Sequence, residues 1–340
     1  MKKFLIFLLL LAVIIGGGAL YGWNLYNSVG KHPLDTDKET LIIEVEPNDT
    51  LNKVLNKLDN EGLMRNLMLT KVYLRYNPVE SALKPGTYEI NAQASIKEII
   101  AQLNEGKDIN EIIVTLPEGL TIEKMGEVFE TAGMFTKDSF IAAAVSYPVP
   151  TWLEAVEGRR YVMEGYLAPN TYKFRKGQTA DYVVNYLYKA FAKEMKDIGT
   201  ELGKEITTDR WNRVLTVASM IEREAGSVAE MPKISAVIYN RLAINMPLQI
   251  DATVVYALGL NGTEKVTLDD LQVDSPYNTY KYKNLPLGPI ANPGTAAIKA
   301  ALNPEPSDDI YYVLDPSKGE HFFTPNYNEF LQKKSEFSGN

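Results

Sequence analysis

The chain has 340 residues, enough to bury a large core and to form more than one domain. Its formal charge is −8 and it has no long basic run, which argues against nucleic acid as a partner. There is no cysteine, and His32 and His321 are the only histidines, so disulfides, a Cys nucleophile and thiolate metal sites are excluded and a zinc site or His-based triad has little to build on; neither metal nor cofactor is expected.

Lys2 and Lys3 precede an uncharged apolar run from Phe4 to Trp23, FLIFLLLLAVIIGGGALYGW. That run is long enough for a bilayer core of about 30 Å, and the flanking lysines favour a cytoplasmic start at 1–3, an anchor over 4–23 and an extracytoplasmic remainder. The competing reading is a cleaved signal peptide with its small-x-small site at Gly17-Gly18-Ala19, but more apolar residues follow that site where a polar mature start is expected. Residues 24–40 mix Gly, Pro and charge without periodicity and read as a linker.

Three segments then share one pattern, a short β run, a polar turn and an amphipathic helix: Leu41 to Gly62, Gly86 to Gly106 and Ile112 to Gly133. Leu51, Val54, Leu55 and Leu58 form the helical stripe of the first, and Ile96, Ile99, Ile100 and Leu103 that of the second. Leu67 to Tyr76 predicts a further helix. The region 41–110 resembles the LysM type of glycan-binding module, which implies that its loops bind N-acetylglucosamine chains; ordinary α+β packing without a ligand is the alternative.

From Tyr161 onward, helices alternate with loops rich in Tyr, Asn, Pro and Gly. Helices are predicted over Pro232 to Leu242, Ala296 to Leu302 and Tyr327 to Lys333, and strands over Ile310 to Leu314 and His321 to Thr324. The fold class is therefore α+β, with an N-terminal transmembrane helix, a LysM-like module and a mixed α+β domain over 111–340.

The stretch TDRWNRVLTVASMIEREAG, Thr208 to Gly226, sets a carboxylate inside an apolar stripe. Trp211, Val214, Leu215, Ala218, Ile221 and Ala225 share one helical face, and Glu222 falls among them. Thr208 or Asp209 suits the start, and Gly226 suits a left-handed residue after the end. Burial and the negative end of the helix dipole both favour a protonated carboxyl at Glu222, as an acid for glycosidic cleavage requires. A structural Glu bonded to an Arg is the alternative. Glu224 points to another side and is the weaker candidate.

Four polar stretches are too rich in hydrogen-bonding groups for simple connectors: MEGYLAPNTY (163–172), NRLAINMPLQIDATVVY (240–256), SPYNTY (275–280) and NLPLGPIANPG (284–294). Together with ASMIERE (218–224), and in this order, they resemble the YceG-like family of endolytic murein transglycosylases. The family commonly has Pro where this chain has Leu287.

The resemblance implies cleavage of peptidoglycan strands between N-acetylmuramic acid and N-acetylglucosamine without water as nucleophile, with the family's catalytic Glu carried onto Glu222. It further implies cleft-lining, substrate-binding roles for Glu164, Gln249, Asp251, Asn278 and Tyr280; a loop-fixing hydrogen bond is the alternative for each. A membrane-bound terminase of nascent strands, with penicillin-binding protein synthases as partners, follows from the same likeness. Two other readings remain open: a muramidase that hydrolyses the bond with Glu222 as acid and Asp251 or Glu164 as partner, and a glycan-binding scaffold without turnover.

Overall fold

The computed structural model describes residues 2–148, 150, 153, 157–260 and 266–337. Met1, part of the expected cytoplasmic start, lies outside them. Internal contacts divide the chain between Glu111 and Ile112.

The first unit begins with helix α1, Lys2–Lys31, and continues with β1 (Thr40–Val45), α2 (Leu51–Asn60), α3 (Leu67–Tyr76), β2 (Gly86–Asn91) and α4 (Ile96–Glu105). β1 and β2 pair antiparallel from Thr40 opposite Asn91 to Val45 opposite Gly86. Alternation along β1 turns Leu41, Ile43 and Val45 inward, where they meet Val54, Leu55 and Leu58 of α2 and Ile96, Ile99, Ile100 and Leu103 of α4. The helix starts are fixed by side chains: Thr50 accepts from Lys53 N, and Ser95 and Glu98 form a reciprocal capping box.

α1 is apolar and exposed along Phe4–Leu25 and long enough to cross a bilayer. It also replaces the first part of the expected linker, because residues 24–31 are helical. The cause is tertiary packing. The Tyr26 ring lies against that of Tyr73 on α3, Tyr26 Oη accepts from Asn77 Nδ2 at 2.8 Å, and Val29 is buried. Gly30 permits the close approach, since a Cβ there would lie 2.4 Å from the Tyr73 ring.

The second unit contains all but the first residue of β3 (Glu111–Thr115), then α5 (Ile122–Thr131), α6 (Lys137–Ser146), β4 (Thr171–Arg175), α7 (Ala180–Glu201), α8 (Thr208–Glu224), α9 (Met231–Ala243), α10 (Asp251–Leu258), α11 (Thr295–Leu302), β5 (Tyr311–Asp315), β6 (Glu320–Thr324) and α12 (Tyr327–Phe337). β3 pairs with β4, and β5 pairs antiparallel with β6 from Tyr311 opposite Thr324 to Asp315 opposite Glu320. The architecture is mixed α+β with an N-terminal apolar helix.

α8 is the central element, packed on α9, α10 and α11. Every residue from Val214 to Ile221 is buried, Thr216 and Ser219 included. A polar residue tolerates such burial only if its hydroxyl is bonded. Thr216 Oγ1 donates to Asn212 O at 2.7 Å, while Ser219 Oγ donates to Thr216 O and accepts from Ile290 N. From Val214 to Ile221, α8 is thus enclosed on all sides where the periodicity predicted one apolar stripe. Its end also differs from expectation: Ala225 is extended, and Gly226 is not left-handed. Gly226 instead serves a close approach, since a Cβ there would lie 2.8 Å from Gly319 O.

Candidate active site

Glu222 and Glu224 occupy the last turn of α8 on nearly opposite sides, because two residues advance about 200° around a helix. Both are half-buried at the negative end of the helix dipole.

On the first side, Glu222 Oε2 accepts from Gly294 N at 3.0 Å. Burial pushes this carboxyl up and the Gly294 N–H opposes it; the negative Glu118 adds to the rise and Arg223 counters it. Glu222 stands between two hollows. Gly119 and Arg223 belong to a cavity of about 140 Å³, and Glu118 and Gly294 to a groove of about 490 Å³ along α7.

Asn292 and Glu164 fix the loop behind Glu222. The backbones of Leu120 and Asn292 bridge antiparallel, with Gly119 N donating to Asn292 O and Asn292 N to Leu120 O, both at 2.8 Å. Asn292 Oδ1 accepts from Gly165 N and Leu167 N. Its Nδ2 donates to Leu120 O and to Glu164 Oε1. Glu164 is 0% exposed; Oε1 also accepts from Ile122 N and Oε2 accepts from Tyr256 Oη. Burial pushes its carboxyl up to about 8. Expected to line the cleft, Glu164 instead ties the start of α5, α10 and the Asn292 loop together from inside the core.

On the second side, Glu224 Oε2 accepts from Tyr312 Oη at 2.8 Å. Burial raises its carboxyl most; the Tyr312 hydroxyl opposes the rise, the negative Asp251 reinforces it, and His321 and Arg241 lower it. Asp251 and Tyr280, expected beside Glu222, therefore belong to the surroundings of Glu224. Tyr280 Oη donates to Asp251 Oδ1, and burial followed by that carboxylate pushes the phenol up.

The motif stretches build this arrangement through backbone bonds. Asn278 is fully buried; its Nδ2 donates to Leu271 O and Val273 O, and its Oδ1 accepts from Tyr280 N. It folds the loop that carries Tyr280 and has no face free for substrate. Thr279 Oγ1 accepts from Ile250 N and meets Thr253 Oγ1 at 2.9 Å, and Gln249 N donates to Thr279 O. Those bonds hold Gln249 at φ 52°, a left-handed conformation uncommon outside glycine, and leave its side chain exposed beside Asp251.

Sequence reasoning missed Arg241 and Tyr312. Arg241 is buried, donates from Nε to Ile310 O at 2.6 Å and from Nη1 to Leu248 O, and lies over the Tyr311 and Tyr312 rings. It joins the Gln249 loop to β5. Tyr312 is also met edge-on by the His321 ring, 5.3 Å between centroids, and His321 is clipped by Glu230 through its backbone N–H and its ring Nδ1. The signal for Arg241 was its place in the NRL motif; Tyr312 sat in an ordinary strand and gave none. Among the described residues, no group of three or more His, Cys, Asp or Glu is placed to hold a metal.

The comparisons with known proteins agree with one another. An endolytic murein transglycosylase of Bacillus subtilis is 30% identical over 96% of this chain and 91% of its own length. One of Streptococcus pneumoniae is 28% identical over 98% of this chain, which spans 65% of that longer relative. A crystal structure of a yceG-like protein from Listeria monocytogenes superposes with a TM-score of 0.58 at 30% identity, covering 87% of this chain and 100% of that one. The family model described as YceG-like family matches residues 43–336, so this chain belongs to the YceG-like family.

Proposed function

We propose that this chain is an endolytic murein transglycosylase, anchored by α1 in the cell membrane and cutting peptidoglycan glycan strands outside the cytoplasm. Its relatives in Bacillus subtilis and Streptococcus pneumoniae carry that name. The observation that carries the choice of acid is the gathering of Tyr312, Arg241, Asp251 and Tyr280 around Glu224 rather than Glu222.

In this reading Glu224 begins protonated, a state that burial and the neighbouring Asp251 favour. Its proton passes to the glycosidic oxygen as the bond to the muramic acid anomeric carbon breaks. The carboxylate so formed is stabilised by the Tyr312 hydroxyl and the positive Arg241. It then takes the proton of the muramic acid 6-hydroxyl as that oxygen attacks the anomeric carbon of its own ring. The product ends in 1,6-anhydromuramic acid, and intramolecular attack needs no protein nucleophile. Gln249, Asp251 and Tyr280 hold sugar hydroxyl and acetamido groups, while Glu222 orders the Gly294 loop.

One observation favours a second reading. Asp251 is exposed and within electrostatic reach of Glu224, as the partner carboxylate of a hydrolytic muramidase would be.

The finer organisation belongs to the same proposal: a cytoplasmic start at 1–3, an anchor over 4–23, a LysM-like module over 41–110 and a catalytic domain over 111–340. Support for the LysM-like reading is the order β1, α2, α3, β2 with the two strands paired along their whole length. Action on nascent strands makes penicillin-binding protein synthases the expected partners. The deciding experiment is mass analysis of glycan strands digested by the purified chain and by Glu224→Gln. Fragments lighter by one water than hydrolytic ones, absent with the variant, support the lyase; hydrolytic fragments select the muramidase, and unchanged cleavage by the variant removes Glu224.

A further inference from the structure

The cavity behind Gly119 is charged in the opposite sense to the chain around it. Four cationic side chains (Lys124, Lys137, Arg160 and Arg223) and two carboxylates (Glu123 and Glu127) line it, in a protein whose net charge is −8. A cluster of excess positive charge in a concave site focuses potential on an anion.

The cations differ in how they are occupied. Arg160 is fixed, with Nη2 on Glu123 Oε1 and Nη1 on Tyr256 O, both at 2.8 Å. Lys124 and Lys137 share the two oxygens of Glu127, at 2.8 and 2.9 Å. Arg223 is exposed; its bond among the described residues is a long one, from Nη1 to Gly119 O at 3.5 Å, and it forms no ion pair there. Leu120, Ala252, Val255 and Ile290 supply apolar wall. At about 140 Å³ the space suits a methyl-sized side chain and a carboxylate rather than a sugar ring.

The cavity lies on the Glu222 side of α8, away from the proposed acid, a span that an extended peptide of a few residues can cover at about 3.3–3.6 Å per residue. A Cβ on Gly119 would lie 3.3 Å from Glu222 Cγ and 3.6 Å from Arg223 Cδ, so one wall backs onto the end of α8. Ala252, on another wall, follows Asp251 on α10.

The geometry points to a subsite for the carboxylate end of a short peptide with small apolar side chains, the chemistry of the peptide substituent that muramic acid carries. This inference rests on the proposed strand-cutting reaction and adds that peptide-bearing strands are the preferred substrate. Arg223 and the Lys124 and Lys137 pair face the carboxylate, and Val255 and Ile290 face the methyl group.

The test is calorimetric binding to the full chain in detergent micelles, carrying Glu224→Gln so that nothing is cut. The probes are a disaccharide pentapeptide ending in a D-alanine carboxylate and the same compound ending in carboxamide. The carboxylate form is expected to bind about tenfold more tightly, the difference between a charge-assisted and a neutral hydrogen bond. Arg223→Gln, and separately Lys124→Gln, should each reduce that ratio towards one. Equal binding of the two probes, or a ratio that both variants leave intact, overturns the subsite. Because the measurement needs no turnover, its failure is distinct from failure of the cleavage reaction, which strand digestion by the unmodified chain reads.

Discussion

Tyr312 and Glu224 meet across 88 positions of sequence, the phenol of the β5–β6 hairpin donating at 2.8 Å to the last residue of α8. One buried carboxylate oxygen thereby depends on a residue from another element, and that element is braced by Arg241 on one side and by His321 and Glu230 on the other. Both the strength of the proposed acid and its orientation answer to the hairpin.

The two glutamates should separate cleanly in strand-cleavage assays. Glu224→Gln removes the proton and is expected to lower kcat by about 10² to 10⁴. Glu222→Gln retains an oxygen to accept from Gly294 N and should cost about tenfold or less. The reverse order would return the acid to Glu222.

Tyr312→Phe deletes a donor to the carboxylate form, so the Glu224 carboxyl should rise further. The acid form then persists to higher pH. The alkaline limb of the pH–rate profile is expected to move upward while maximal kcat falls about tenfold, because the carboxylate left after proton transfer is less stabilised. A profile with an unmoved alkaline limb contradicts the assignment.

Glu164 makes stability depend on pH. Its carboxyl is pushed from 4.5 to about 8 in the folded chain, so the unfolded chain releases this proton first. Its contribution is complete below about 4.5 and is lost as pH rises towards about 8. Glu164→Gln keeps an oxygen for Ile122 N and Asn292 Nδ2 and should flatten the fall of Tm with pH. Glu164→Ala leaves those donors unpaired and should cost about 2–4 kcal/mol. Thermal melts across this pH range check both.

Gly226→Ala places a methyl group 2.8 Å from Gly319 O, a backbone atom of the hairpin turn. The hairpin must shift, and Tyr312 with it. A loss of about 1–3 kcal/mol in stability is expected, with kcat falling more than KM changes. Unaltered kinetics in a folded variant would show that the hairpin's position does not matter to the acid.

Much of the fold was legible where local pattern and tertiary packing agree. The three strand-and-helix segments appear as β1–α2, β2–α4 and β3–α5, and α9, α11, α12 and the β5–β6 hairpin lie within a residue or a few of their expected bounds. No comparable expectation preceded α7, and α1 runs past its expected end because the packing of Tyr26 and Val29 on α3 is a tertiary effect. The site was half legible. The motifs around Asp251 and Tyr280 were recognised, but helical periodicity ranks positions by one buried face, and α8 has no exposed face from Val214 to Ile221. Under that condition apolar neighbours no longer tell Glu222 from Glu224, and the difference between them is a hydroxyl brought from a distant hairpin.

Walled in from Val214 to Ile221, the middle of α8 behaves as a fixed post: it cannot pivot or slide without opening the interior of the second unit. The proposed proton donor just beyond that stretch accordingly has a constant bearing, and adaptation to strands of different length or decoration falls to the loops and to the polymer itself, threading past a stationary blade.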